Sequence, residues 1–190
     1  MLPSRQGMVT NVVLPHEFVA KWSKVTLKES SASQEHFLDL CHLLGHPTPA
    51  EADAEGASFT FEKGAHKSAG GTGFADVWKK DHFGWEYKGK HASLAAAYQQ
   101  LLQYREDLGN PPLMVVCDLD RFEVHTNFTN TITQVHHFST ADLADPKVLA
   151  TLRAVFFDPE VLRPGQTTHG LTQAAATQFA TLADMLRARG

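Results

Sequence analysis

Apolar positions recur along this chain at two periods, and the switches between them mark where helices give way to strands. From Pro15 to Leu27, a proline at the first turn is followed by Phe18, Val19, Trp22 and Val25 at helical spacing, which predicts a helix. Ser31 to Gln34 has the form of a capping box. Phe37, Leu40, Cys41 and Leu44 then share one helical face, and Gly45 and Pro47 end the pattern, so a second helix is predicted. Thr48 to Gly56 reads as a polar loop. Ser58 to Phe61 alternates as a short strand, Gly64 to Gly73 reads as a turn, and Phe74 to Lys79 and Phe83 to Lys88 form a hairpin across Lys80-Asp81-His82.

The stretch His91 to Leu108 is rich in Ala, Leu and Gln, lacks Gly and Pro, and stops at Gly109-Asn110-Pro111-Pro112. It predicts the strongest helix of the chain. Leu113 to Asp118 is an unbroken apolar run of the kind found in a strand buried on both faces, and Phe122 to Thr126 alternates after the turn Asp118-Leu119-Asp120-Arg121. A strand over Thr131 to Phe138 and helices over Ala141 to Phe156 and Thr172 to Arg189 complete the pattern. The expected class is α/β, with a central mixed sheet of about four or five strands flanked by helices. The apolar side of the last helix, with Ala176, Phe179, Leu182, Met185 and Leu186, has no later segment to cover it, so the chain reads as the N-terminal piece of something longer.

At 190 residues, 43% apolar and 20% charged, the chain has the make-up of a soluble globular domain. No apolar run approaches the roughly 20 residues that span a bilayer, and the N-terminus lacks a secretory h-region. Both point to a cytoplasmic location. Cys41 and Cys117 each sit in apolar segments, which suits reduced thiols. A net charge of −4 argues against a protein that coats DNA non-specifically, but acidic metal ligands themselves lower the charge.

Candidate chemistry lies on the hairpin. Asp76 stands in G-F-A-D-V-W, and Glu86 and Lys88 stand in F-G-W-E-Y-K. Glu86 and Lys88 point to the same face of a strand, and an antiparallel neighbour brings Asp76 beside them. Two carboxylates suit a hard divalent cation, and a lysine suits orienting water and offsetting phosphate charge. Alone, the same pattern also describes a solvated hairpin face. Lys90, two residues further on, suits either a phosphate contact or simple solubility.

The spacing D-x9-E-x-K followed by a helix resembles the PD-(D/E)xK nuclease superfamily, and Gln100 to Tyr104 matches the Q-x-x-x-Y of its RecB-like members. More closely, G-G-T-G-F-A-D-V-W, W-E-Y-K-G-K-H, A-A-Y-Q-Q-L-L-Q-Y-R and D-L-D-R-F-E-V-H-T-N-F-T-N resemble the N-terminal nuclease domain of MmeI-like (type IIL) restriction-modification enzymes, over roughly Phe18 to Phe138. The resemblance implies a restriction-endonuclease-like fold over residues 1–140. It also implies that residues 141–190 begin a helical connector to a methyltransferase domain outside this chain. It implies double-stranded DNA as substrate and Mg²⁺ (Mn²⁺ as a substitute) held by Asp76, Glu86 and the backbone carbonyl of Tyr87. Lys88 would be catalytic, and Gln100, Tyr104 and Lys90 would support the site. S-adenosylmethionine belongs to the methyltransferase part, which shares the polypeptide with target-recognition domains. The family's proline is replaced by Ala75. The rival readings are a catalytically silent DNA-binding or scaffold module of a methyltransferase involved in phage defence, and a stand-alone repair nuclease.

Other polar residues have simpler readings. Glu35 lies nearly opposite the Phe37 stripe and reads as solvated. Cys41, His42, His46 and His136-His137 lack the spacing of a zinc site. Gly70 to Gly73 reads as a turn rather than a phosphate cradle, and Asn110-Pro111-Pro112 as a helix stop. Asp118 and Asp120 read as caps of the turn between two strands.

Overall fold

Alternation, apolar runs and turn residues resolve into one helix-flanked sheet in the computed structural model, which describes residues 13–26, 29–66, 71–165 and 167–187. Leu27, Gly70, Arg189 and the first residues of the N-terminus, all named above, lie outside the described residues. The helices are α1 (Pro15–Trp22), α2 (Glu29–Leu44), α3 (Pro49–Ala52), α4 (Leu94–Leu102), α5 (Pro146–Phe157) and α6 (Thr168–Arg187). The strands are β1 (Phe59–His66), β2 (Thr72–Lys79), β3 (Phe83–Tyr87), β4 (Leu113–Cys117), β5 (Arg121–Thr126) and β6 (Val135–Ser139).

Among the described residues the strands form a single six-stranded sheet in chain order. Neighbours pair antiparallel except β3 with β4, which run parallel. A parallel pair needs a crossover, and α4 supplies it. Both faces of the centre are therefore covered, and every residue of β3 and β4 is buried. On one face Phe37 of α2, Phe83 and Trp85 of β3 and Phe156 of α5 share a core with Phe18 and Trp22 of α1. On the other, Ala97 and Leu101 of α4 pack with Trp78, Met114, Val116, Tyr104 and Leu108.

Several boundaries differ from expectation, each for a local reason. The capping-box pattern at Ser31 lies inside α2, which already begins at Glu29. A working box sits instead at Thr48, in the expected loop: the Glu51 carboxylate accepts from the Thr48 N–H at 2.8 Å and its hydroxyl at 2.9 Å, starting the single turn of α3. Gly64, expected in a turn, pairs with Phe74 inside a longer β1–β2 ladder.

The strongest expected helix ends early. After Leu102 the chain tightens to three-residue bonds, Gln103 N to Gln100 O and Tyr104 N to Leu101 O. Tertiary contacts hold this irregular stretch, because the Trp78 indole N–H donates to Leu108 O at 2.8 Å. The expected Ala141–Phe156 helix divides into a 3₁₀ turn over Ala141–Ala144 and α5, whose N-cap Asp145 accepts from Lys147 N. Leu143, Leu152, Val155 and Phe156 from this segment are buried in the same core as Phe37 and Trp85, so the stretch expected to begin a connector supplies packing to the sheet. On α6, Phe179, Leu182 and Met185 stand exposed.

Candidate active site

The site is built where β2 leaves β3. Their ladder runs through Lys79↔Phe83, Trp78↔Gly84 and Val77↔Trp85 and then stops. At the next position the Asp76 side chain takes over: its Oδ2 accepts from the Tyr87 N–H at 2.6 Å. Beyond this fork β2 stays paired with β1 as far as His66↔Thr72. One register position in that ladder is skipped, Glu62 opposite Asp76, and Glu62 has φ +50°, an uncommon conformation for a residue with a side chain. The face of the strand changes there. Val77 packs on the α2 side, whereas Ala75, two residues earlier, packs on the α4 side. The carboxylate thus sits at a kink and a fork together.

Glu86 lies on β3 between Trp85 and Tyr87, and pleating turns it to the α4 face. It is 3% exposed. Its Oε1 accepts from Lys88 Nζ at 2.6 Å and from Gln100 Nε2 at 2.8 Å. Lys88 stands just past β3, where its N–H continues the parallel ladder by donating to Cys117 O. Gln100 is delivered by α4, whose first turn is capped by the Ser93 hydroxyl accepting from Ala96 N. The structure therefore joins Glu86, Lys88 and Gln100 by hydrogen bonds and brings Asp76 to the Tyr87 amide, near enough to Lys88 to feel its charge. Burial raises the Asp76 pKa above the usual carboxylate value, and the Glu62 charge adds to this. The Tyr87 N–H and Lys88 work the other way.

The remaining expected residues fall into place unevenly. Tyr104 is not on the helix with Gln100; it follows the tightened turn and is buried against β2, where a Cβ on Gly73 would lie 2.7 Å from its Cζ. Lys90 is exposed in the loop after β3. Tyr87 turns its ring into the α2-side core, its hydroxyl 2.8 Å from His36 Nδ1. Glu35 is exposed and pairs with Lys21 at 2.6 Å. Cys41 and Cys117 are buried free thiols, and burial pushes the Cys41 pKa up to about 12.

Three residues beside Asp76 were not foreseen. Ser33 and Gln34 of α2 and Glu62 of β1 line a cleft of about 190 Å³ with Asp76 and Tyr87. Ser33 carries a readable signal, since it is a polar residue one turn before Phe37 on the buried stripe. Glu62 carries none, because its place depends on the kink. Asp118 does cap its turn as expected, accepting from Asp120 N and Arg121 N, but it also accepts from His91 N in the loop after β3.

The donor set suits a hard cation. Two carboxylates that burial takes out of water need a compensating charge, which Lys88 here supplies to Glu86. Among the described residues, no three His, Cys, Asp or Glu side chains gather as metal ligands. A cation at Asp76 and Glu86 would complete its shell with a main-chain carbonyl and water, which is the habit of Mg²⁺.

The chain is thus an α/β domain whose mixed sheet carries a carboxylate–carboxylate–lysine cluster at a strand fork. Residues 13–189 match the family described as "MmeI, N-terminal domain", and the chain belongs to that family. Among solved structures it is similar to a chain described as "cryoEM structure DrdV-DNA complex", at 21% identity and a TM-score of 0.47. The match covers 77% of this chain and 14% of that one. No curated protein matches.

Proposed function

We propose that this domain hydrolyses DNA phosphodiester bonds with Mg²⁺, as the cutting part of a longer type IIL-like restriction-modification polypeptide. The observation that carries the reading is the convergence of Asp76, Glu86 and Lys88 on residue 87, with Gln100 bracing Glu86 from behind. Membership of the MmeI N-terminal domain family supports it. Asp76, Glu86 and the Tyr87 carbonyl hold the cation, which supplies charge neutralisation at the phosphate and an acidified water. Mn²⁺ is the expected substitute.

Lys88 places an ammonium beside the carboxylates, where it orients the attacking water and offsets developing negative charge. Gln100 keeps Glu86 turned toward Lys88, and Tyr104 seats the chain behind it. Lys90 contacts a DNA phosphate. Methylation with S-adenosylmethionine, target choice and a role in phage defence belong to other parts of the polypeptide. The protein works in the cytoplasm of a prokaryotic cell. In keeping with this, no helix among the described residues is long and apolar enough to cross a membrane.

The test is plasmid cleavage by the full-length polypeptide with Mg²⁺, alongside its Asp76→Asn and Lys88→Ala variants. Asparagine keeps an oxygen for the Tyr87 N–H, so loss of cleavage in Asp76→Asn reports the lost charge. Both variants are expected to retain DNA binding and lose cleavage. Cleavage at the parental rate in either one would refute the assignment.

A further inference from the structure

The loop from Lys88 to Ser93 joins two parts of the site, Lys88 at the end of β3 and Gln100 on α4, yet it has few bonds of its own. Lys88 N donates to Cys117 O, and Ala92 N closes a turn on Gly89 O at 2.9 Å. Between them His91 has φ +67°, a conformation that a residue with a side chain keeps only when its surroundings hold it. The support comes from the neighbouring turn. Asp118 Oδ2 accepts from His91 N at 3.2 Å, and Arg121 Nη2 donates to Ala92 O at 3.0 Å.

Asp118 is built for this. Its side chain is 1% exposed. It accepts from the main-chain N–H groups of Asp120, Arg121 and His91 and from the Arg121 Nε at 2.8 Å and Nη2. A turn cap needs the first two of these; the arginine fork and the reach to His91 exceed what the turn requires. Asp118 follows β4 directly, and β4 runs parallel to β3 with Cys117 beside Tyr87. The carboxylate therefore anchors the loop at the edge of the candidate site.

We infer that Asp118 and Arg121 are positioning residues of the site: by clamping the main chain at residues 91 and 92, they fix the loop that sets Lys88 and delivers α4 with Gln100. The inference rests on the nuclease reading above. Neither residue touches the reacting atoms. Their effect runs through the backbone, and a misplacement of about 1 Å in such a group costs about 10²-fold in rate.

Arg121→Ala in the full-length polypeptide is the leading test, because the side chain is half exposed and its loss leaves the core intact. Asp118→Asn is the second variant. With enzyme in excess over DNA, the single-turnover rate constant does not depend on the folded fraction, so a merely structural defect leaves it unchanged. The expected result is a rate constant lower by about 10²-fold at unchanged DNA affinity, with faster hydrogen exchange at the His91 amide. An unchanged rate constant, or unchanged exchange at His91, in Arg121→Ala overturns the inference. If Asp76→Asn is inactive in the same assay, the nuclease reading survives that outcome. If Asp76→Asn cleaves like the parent, the nuclease reading itself fails, and the inference with it.

Discussion

Replacing His36 with glutamine should remove a large part of the acid sensitivity of the fold. His36 is fully buried among Phe18, Trp22, Tyr87 and Phe122. Its Nδ1 meets the Tyr87 hydroxyl, and its Nε2 has no hydrogen-bond partner among the described residues. Burial, aided by the charge of Lys21, lowers its pKa to about 3 from 6.5. Between those values the unfolded chain binds a proton that the folded chain refuses. Stability therefore rises with pH across that window, and is lost as pH falls from 6.5 toward 3. Each unit is about 1.36 kcal/mol, so acidifying from pH 7 to pH 5 removes about 2 kcal/mol through this one residue. That is a sizeable share of the roughly 5 to 15 kcal/mol that holds a domain folded. Urea unfolding of the wild type and His36→Gln at pH 7, 6 and 5 measures it, and groups common to both proteins, such as His46, cancel in the difference. The wild type should lose about 2 kcal/mol more than the variant over that range. Parallel curves would show that His36 is not the neutral, desolvated ring described here.

Three further changes probe the packing around the site. Gly73→Ala places a methyl group against the Tyr104 ring; overpacking of this kind costs about 1 to 3 kcal/mol, read as a melting temperature lower by several degrees. Phe156→Ala removes a fully buried ring stacked on Phe37 and should cost about 3 to 5 kcal/mol in denaturant unfolding; a cost below about 1 kcal/mol would mean that α5 is not part of the core. Ser93→Ala removes the cap of α4 and should cost about 1 kcal/mol, with the first turn of that helix exchanging its amides faster.

The parts of the fold written as local pattern were legible. The stripe of Phe37, Leu40, Cys41 and Leu44 gave α2, the apolar run from Leu113 gave β4, and the hairpin gave β2 and β3 with Glu86 and Lys88 two residues apart. What depends on distant partners was not. The helix after Ser93 has strong formers up to Leu108, yet Trp78 and Gly73, far away in sequence, draw its last residues out of helical geometry. The kink that leaves Glu62 opposite Asp76 but unpaired in the ladder leaves no trace in the composition of β1. Asp118 showed its local role as a turn cap, while its reach to His91 follows only from the parallel alignment of β3 and β4. The capping-box signature occurs both at Ser31, inside α2, and at Thr48, where it starts α3, since three or four residues of sequence cannot say which of two polar stretches starts a helix.

The bond between the Asp76 carboxylate and the Tyr87 amide gives this aspartate two employers. It serves the proposed chemistry, and it also closes the fork by taking a hydrogen bond that the β2–β3 ladder no longer provides. Lys88 is partly exposed, and its ammonium is the compensating charge for the buried Glu86 carboxylate of β3. A descendant freed from the proposed chemistry would still be under pressure to keep Asp76 for the fork, and would lose Lys88 only together with Glu86, whose buried charge it neutralises. Glu86 and Lys88 kept as a pair are therefore the better marker of the proposed activity, and aspartate at position 76 can outlive it.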